Sequence, residues 1–324
     1  MTGSRPSVWF EREILPDLRA GVAARAVILG PASITPDDPY QALPDAAGIV
    51  ASVHAYTGDL MDLAPRLRVI ARTGIGYDKV DIAAATARGI AVCNAPDGPT
   101  VSTAEHAVTL MLMVAKNVKR SEAELRGGGA DFYARHVGVE LDGRTLGLVG
   151  FGRIARRVAA VASGLNMSVA AYDPFLEPQS FPANVTRSST LEELASLSDV
   201  VSIHIPLTDD NAGLFGEDLL RTMKPGAILI NTARGGLVDL DALTDALDRG
   251  HLFGAGLDVT SPEPLPPDHP LLARPDVVVT PHVAAGTAGA KRRIFESAFT
   301  QVLEVLNGQR PASLINTEVW DQDF

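Results

Sequence analysis

The sequence predicts an α/β protein of two doubly wound parallel-sheet domains, one inserted into the other. Three observations carry this expectation. Short apolar runs alternate with helical patterns along most of the chain, as in parallel sheets whose strands are buried on both faces. A length of 324 residues exceeds one ordinary core and fits two domains. A glycine-rich strand–turn–helix unit, Arg144–Asp173, begins almost halfway along, so another folded body must precede it.

The first alternation occupies the residues before about 100. Gly48–Val53, Leu67–Ala71 and Ile90–Cys93 read as buried strands, separated by helical segments around Leu60–Ala64 and Val80–Ala87. Asn94-Ala95-Pro96-Asp97-Gly98-Pro99 then punctuates the chain. From Thr103 to about Leu125 the pattern predicts one long helix, ended by Gly127-Gly128-Gly129. Met111 and Met113 on it read as packing residues. The second alternation is more regular. Strands are expected at Thr145–Val149, Ser168–Tyr172, Val200–Ile205, Ala227–Asn231, Gly254–Leu257 and Val277–Val279. Helices are expected at Ile154–Gly164, Leu191–Leu197, Asp218–Met223 and Leu240–Arg249. A last helical pattern, Ala288–Leu306, is expected to return to the first domain and make it discontinuous. The proline-rich run Pro262–Pro267 lies between elements and reads as a stiff loop.

Within Arg144–Asp173, the strand Thr145–Val149 runs into Gly150-Phe151-Gly152-Arg153-Ile154-Ala155 and a helix. A second strand ends on Asp173, 21 residues after Gly152. This is a dinucleotide fingerprint in its full context. The first glycine makes a tight turn and the second admits a pyrophosphate. The small Ala155 lets helix and strand pack closely, and the acid receives a ribose 2′-hydroxyl. No arginine directly follows Asp173, where Pro174 and Phe175 stand, and a carboxylate repels a 2′-phosphate. NAD is therefore expected over NADP.

Composition narrows the rest. The chain is 46% hydrophobic and 21% charged, as a globular enzyme is, with a net charge of −11 that argues against general affinity for nucleic acid or anionic membrane. No apolar segment is long enough to span a bilayer, and the N-terminus lacks the apolar region of a secretion signal. A cytoplasmic location is expected. A single cysteine excludes an internal disulfide. Cys93 ends an apolar run and reads as a small buried strand residue, not a nucleophile. No metal is called for.

Three segments follow strands of the second domain, where open α/β sheets bind ligands. Thr232-Ala233-Arg234-Gly235 follows one, Asp258 to Glu263 another, and Thr280-Pro281-His282 a third. An Arg, a Glu and a His thus converge on a sheet that carries a nicotinamide dinucleotide. Hydride delivered to C2 of a 2-keto acid builds negative charge on the carbonyl oxygen, and an imidazolium facing it can donate a proton. A carboxylate beside that histidine favours its charged form, and a guanidinium grips the substrate carboxylate. His204 lies in a strand and reads as structural. His54 stands near the expected substrate side, and either a structural or a functional role is open to it.

These segments together resemble the D-isomer-specific 2-hydroxyacid dehydrogenase family over nearly the whole chain. Val69–Asp81, with Arg72, Gly74, Ile75, Gly76 and Asp78, resembles the family's substrate-carboxylate loop, and Asn94-Ala95-Pro96 with Ser102–His106 its crossover. Gly150–Ala155 with Asp173, His204-Ile205-Pro206, Thr232–Gly235, Asp258, Glu263 and Pro281-His282 match in order and spacing. The resemblance implies a Rossmann NAD domain, residues 101–285, inserted into a discontinuous flavodoxin-like substrate domain, residues 1–100 and 286–324, with a cleft between them. It implies catalytic Arg234, Glu263 and His282. It further implies NAD contacts at Thr100, Gly150, Gly152, Arg153, Ile154, Asp173, Ile205, Pro206, Thr232, Ala233, Arg234, Asp258, His282 and Ala284. Substrate contacts are implied at Val53, Gly74, Ile75, Arg234 and His282, and a homodimer held largely through the NAD domain.

Departures from the family's subgroups bear on the substrate. Phosphoglycerate dehydrogenases of the family carry an Arg where this chain has Ala51. Formate-oxidising members carry an Asn near the position of Pro99, and phosphite-oxidising members a Lys around that of Ile75. A small unphosphorylated 2-keto or 2-hydroxy acid is therefore expected, its side chain meeting Val53, Tyr56 and Ile75. Glyoxylate, hydroxypyruvate and pyruvate-like acids all fit, and 3-phosphoglycerate is the alternative substrate. A different class of function, an NAD(H)-responsive interaction protein resembling the C-terminal-binding-protein corepressors, is disfavoured by the complete Arg, Glu and His set.

Overall fold

A computed structural model describes residues 5–30, 38, 40–128 and 130–320. The chain divides into two compact units, Met1–Pro99 with Thr287–Phe324, and Thr100–Gly286.

The first unit contains β1 (Ser7–Phe10), α1 (Pro16–Arg25), β2 (Val27–Leu29), β3 (Gly48–Ala51), α2 (Gly58–Asp62), β4 (Val69–Arg72), α3 (Ile82–Ala87) and β5 (Ala91–Cys93). The long α12 (Ala288–Leu306) completes it from the other end of the chain. All strands are parallel in the order β2-β1-β3-β4-β5, which is the flavodoxin-like doubly wound order. The period of two in each strand sends Val8, Phe10, Val50, Val69 and Ala71 to one face. There they pack with Val22 of α1 and Ala298, Phe299, Val302 and Val305 of α12. Trp9, Ile49, Ala51, Ile70 and Val92 go to the other face, with Met61 of α2 and Ala85 of α3. Thr57 and Asp81 cap α2 and α3 by accepting from Leu60 N and Ala84 N.

After α12 the chain returns to the edge strand. Asn94 N donates to Ser313 O, Ile315 N donates to Val92 O, and Leu314 bridges Cys93 antiparallel. Asn316 is buried. Its Oδ1 accepts from Val92 N at 2.8 Å, and its Nδ2 donates to Ile90 O at 2.9 Å and Thr86 Oγ1 at 3.0 Å.

The second unit runs α4 (Thr100–Ala115), α5 (Val118–Arg126), α6 (Phe132–Arg135), β6 (Thr145–Val149), α7 (Arg153–Gly164), β7 (Ser168–Tyr172), β8 (Val185–Arg187) and α8 (Leu191–Leu197). It continues with β9 (Val200–Ile203), α9 (Glu217–Thr222), β10 (Ala227–Asn231), α10 (Leu240–Asp248), β11 (Leu252–Leu257), α11 (Pro270–Ala273) and β12 (Val277–Val279). Its seven parallel strands are ordered β12-β11-β10-β9-β6-β7-β8, so the order reverses between β6 and β9. That is the Rossmann arrangement with one more strand at the far edge. α4 and α7 cover one face, and α8, α9 and α10 the other.

The single helix expected from Thr103 to Leu125 is in fact two. Asn117 adopts a left-handed backbone (φ 48°) between α4 and α5, and its Nδ2 donates to Val137 O. An asparagine tolerates that conformation better than most residues, and its bonded amide fixes the break. α5 ends at Arg126, and Gly129 lies outside the described residues. The sequence reading missed three strands, β1, β2 and β8, which are only three or four residues long. Cys93 is fully buried, and burial, with Glu304 nearby, pushes its thiol up to about 12, in keeping with a packing role.

His204, just past β9, donates or accepts a 2.9 Å bond with Ser202 Oγ, and burial of its ring pushes its pKa down to about 4. The neutral imidazole is thereby favoured.

Asn316→Ala leaves the Val92 N–H and Ile90 carbonyl without their partner. It should lower stability in urea titration by about 2–4 kcal/mol, and a loss under about 0.5 kcal/mol would show that the clamp is dispensable. For His204, between about pH 6.5 and 4 the unfolded chain binds the proton that the native ring refuses. Stability should therefore fall on acidification through that window, by at most about 3 kcal/mol from this group. His204→Gln should flatten that part of the stability–pH curve, and an unchanged slope would assign the loss elsewhere.

Candidate active site

The expected dinucleotide residues gather at the carboxyl ends of β6, β7 and β9. Gly150 has φ +85°, and a Cβ there would stand 2.7 Å from Ile205 Cγ2 and 2.8 Å from His204 O. Only glycine lets the turn after β6 pass this close to the chain leaving β9, at the point where the strand order reverses. Gly152 is the N-cap of α7, and no atom of the described residues lies within 4 Å of the position its Cβ would take. Open space therefore faces the first turn of a twelve-residue helix, where Arg153 and Ile154 stand, while Ala155 is fully buried beneath.

Asp173, just past β7, accepts from Phe151 N at 2.9 Å and Phe175 N at 3.0 Å. These bonds fix its carboxylate at the strand end and leave oxygen lone pairs for a ribose hydroxyl. At the end of β10, Thr232 Oγ1 is buried without a hydrogen-bond partner among the described residues. Ile205 and Pro206 follow β9, and Thr100 opens α4. The open helix terminus, the anchored carboxylate and the orphaned hydroxyl fit a bound dinucleotide.

Arg234 stands on the turn after β10. Asn231 shapes that turn, accepting from Ala233 N through Oδ1 and donating through Nδ2 to Arg234 O. Arg234 Nη1 donates to Ala233 O at 2.7 Å. The following Gly235 is pressed against the loop after β11, for a Cβ there would lie 2.0 Å from the Thr260 carbonyl. The Arg234 turn and the loop leading to Glu263 are thereby in direct contact.

His282 Nδ1 and Glu263 Oε1 are 2.7 Å apart, so the expected pair is formed, and among the described residues no hydrogen bond engages Nε2. His282 is held in an unusual conformation, φ +54°, with its N–H donating to Asp258 O at 2.7 Å and Thr280 O at 3.0 Å. The reason lies underneath. Asp258 is buried, and its carboxylate accepts from Val283 N, Ala284 N and Thr280 Oγ1 at 2.9, 2.8 and 2.5 Å. His106 of α4 joins the cluster, its Nε2 lying 2.9 Å from Thr280 Oγ1 and 3.3 Å from Asp258 Oδ1. Burial opposes ionisation of Asp258. The hydrogen bonds from His106, Thr280, Val283 N and Ala284 N outweigh it and hold the carboxyl below its usual range.

Sequence reasoning missed Thr280 and gave His106 no role, although both stand in segments it singled out. Their contacts join residues 174 positions apart, which no local pattern reveals.

The residues expected to meet a substrate belong to the other unit. The side chains of Val53 and Ile75 are partly exposed, at 48% and 37%. Gly74 O accepts from Ala95 N, and Asn94 Nδ2 donates to Ile75 O at 2.7 Å, so the loop after β4 is pinned from behind. Tyr56 departs from the expectation. It is 1% exposed, inside the core beneath α2 and α3, and its hydroxyl donates to Glu11 Oε2, so it offers no surface to a ligand. Burial first, and then Glu11, hold its hydroxyl well above the usual phenol range. His54 packs edge-on against Tyr40.

Residues 108–284 match the model of the D-isomer specific 2-hydroxyacid dehydrogenase NAD-binding domain. The glyoxylate reductase of Korarchaeum cryptofilum is 39% identical over 264 residues, 81% of this chain and 80% of that protein. The D-3-phosphoglycerate dehydrogenase of Archaeoglobus fulgidus is 37% identical over 268 residues, 83% of this chain and 51% of that protein. The chain thus spans about half the length of the phosphoglycerate dehydrogenases it resembles. A crystal structure of a protein from Thermus thermophilus aligns with a TM-score of 0.86 at 39% identity, covering 95% of this chain and 99% of that one. The chain belongs to the D-isomer-specific 2-hydroxyacid dehydrogenase family.

Proposed function

We propose that the protein interconverts a small, unphosphorylated 2-keto acid and the corresponding D-2-hydroxy acid, using NAD(H). The observation that carries this reading is the 2.7 Å contact between His282 and Glu263 on loops fixed by buried Asp258. When bound, the nicotinamide supplies or accepts the hydride. The chain's own residues do the rest. In reduction, His282 donates a proton from Nε2 to the carbonyl oxygen; in oxidation it accepts one from the hydroxyl. Glu263 stabilises the cationic ring and fixes its orientation through Nδ1. Arg234 binds the substrate carboxylate with its planar fork. In the five-stranded unit, we assign the Gly74–Ile75 loop and Val53 to substrate binding.

For the coenzyme, we assign the pyrophosphate to the α7 terminus at Gly150, Gly152, Arg153 and Ile154, and the ribose to Asp173. Thr100, Ile205, Pro206, Thr232, Ala233, Arg234, Asp258, His282 and Ala284 are the further contacts proposed. The carboxylate of Asp173 supports NAD over NADP. Ala51, at the end of β3, supports an unphosphorylated acid, whereas the names of the phosphoglycerate dehydrogenases favour 3-phosphoglycerate. We also propose association into a homodimer through the second unit, where Val118, Leu125, Tyr133 and Val137 are exposed apolar side chains.

NADH oxidation with glyoxylate, hydroxypyruvate, pyruvate and a phosphorylated 2-keto acid tests the reading. Turnover of the unphosphorylated acids is expected. Tight NADH binding with no turnover of any acid would overturn it in favour of an interaction module. His282→Ala should lower kcat for reduction about 100- to 10,000-fold with little change in NADH affinity, and wild-type turnover would remove His282 from the mechanism. For the coenzyme, kcat/KM should favour NADH over NADPH. Asp173→Ala should raise KM for NADH about 10- to 100-fold, the loss of a charge-assisted hydrogen bond. A preference of the unmodified enzyme for NADPH would overturn the ribose assignment.

A further inference from the structure

One buried carboxylate outside the site has no part in the reaction as proposed, yet is as fully engaged as Asp258. Glu11 follows β1 directly and is 5% exposed. Its Oε1 accepts from Val53 N at 2.5 Å and His54 N at 3.0 Å, and its Oε2 from Ser52 N at 2.5 Å and the Tyr56 hydroxyl at 2.8 Å. All four donors come from the one loop that follows β3. Three successive peptide N–H groups converging on one point form an anion-binding concavity, and here the anion is the chain's own side chain. The buried Glu11 is satisfied only with this loop in this conformation, and the loop holds its shape only with this carboxylate present.

The consequence lies in what the loop can offer outward. Its backbone N–H donors at Ser52, Val53 and His54 are already committed inward, against a fixed negative charge. What the loop presents is the half-exposed Val53 side chain, flanked by the partly buried Ser52 and His54. Arg72 at the end of β4 donates from Nε to Gly76 O at 3.1 Å, and its charge lies near enough to Tyr56 to offset part of the rise that burial and Glu11 impose on that hydroxyl. A ligand group reaching the Ser52–His54 loop therefore meets the Val53 methyls and backbone amides already taken up by a carboxylate. A neutral or apolar tail suits it, and a phosphate or second carboxylate does not.

We propose that Glu11 is a positioning residue that sets substrate selectivity: by occupying the Ser52–His54 amide cradle it excludes 2-keto acids whose distal end is anionic. This rests on the proposed reading of Val53 as a substrate-side residue, and it extends that reading from one substrate class to the cause of its selection.

The test compares hydroxypyruvate with 3-phosphohydroxypyruvate, two acids that differ only in a distal phosphate, on the full chain. The wild type should favour hydroxypyruvate in kcat/KM by tenfold or more. Glu11→Gln removes the charge with little change of shape and should reduce that ratio at least tenfold, with KM for NADH unchanged. Glu11→Asp keeps the charge and should retain most of the discrimination. A merely structural role would lower both activities together and leave the ratio as it was. Amide hydrogen exchange provides a readout independent of turnover: Ser52, Val53 and His54 should be protected in the wild type and exchange at least tenfold faster in Glu11→Gln. A wild type that prefers the phosphorylated acid, or a folded Glu11→Gln with an unchanged ratio, overturns the proposal. If no 2-keto acid is turned over, the proposed reaction itself fails. In that case unchanged exchange in Glu11→Gln would overturn the positioning role as well, and faster exchange would support the cradle alone.

Discussion

The buried carboxylate of Asp258 is the interaction on which the candidate active site depends. A charge removed from water is tolerated only when its lone pairs are filled, and Asp258 fills them with donors from three directions. The backbone of Val283 and Ala284, the Thr280 hydroxyl and His106 of α4 are thereby tied to the end of β11. The turn carrying His282 is pulled into a left-handed backbone that a histidine does not adopt by preference. Its ring is then hydrogen-bonded, among the described residues, to Glu263 alone. Arg234 reaches the same end of the sheet because Gly235 lets its turn lie against Thr260.

Much of this was legible in the sequence, and the reasons differ from residue to residue. Gly150, Gly152, Ala155 and Asp173 were readable because each answers to a local backbone or packing demand at fixed spacing. The strands buried on both faces announced themselves as uninterrupted apolar runs, and Ala288–Leu306 was readable to its ends. The order of the strands was not, since parallel pairing joins residues far apart and leaves no local pattern. β8 escaped notice because it is three residues, only the first of them apolar. The break at Asn117 depends on a bond to Val137, and Tyr56 looked like a ligand contact because alternation alone does not say which face of a short bridge is inside.

The polar clusters were the least legible part. Asp258 and Glu11 are both acids at the carboxyl ends of strands, and nothing in composition separates them from solvated loop acids. Both turn inward and accept runs of neighbouring amides, Val283 with Ala284 in one case and Ser52 through His54 in the other. The same device therefore appears in each unit: an internal anion that accepts neighbouring backbone amides and fixes a loop by saturating them.

The return of the chain to its first sheet also governs the order in which the protein can be built. Residues 100–286 form a unit from one continuous stretch, so all its strands are available before synthesis ends. The five-stranded sheet is made earlier but waits. The face carrying Val50, Val69 and Ala71 has only Val22 of α1 and its neighbours for cover until Ala298, Phe299, Val302 and Val305 of α12 emerge, and its edge strand is not clasped until Asn316 follows. During synthesis the first-made strands thus expose an apolar sheet face while the later-made unit completes its core, which makes the segment before residue 100 the one most in need of protection from aggregation on the ribosome.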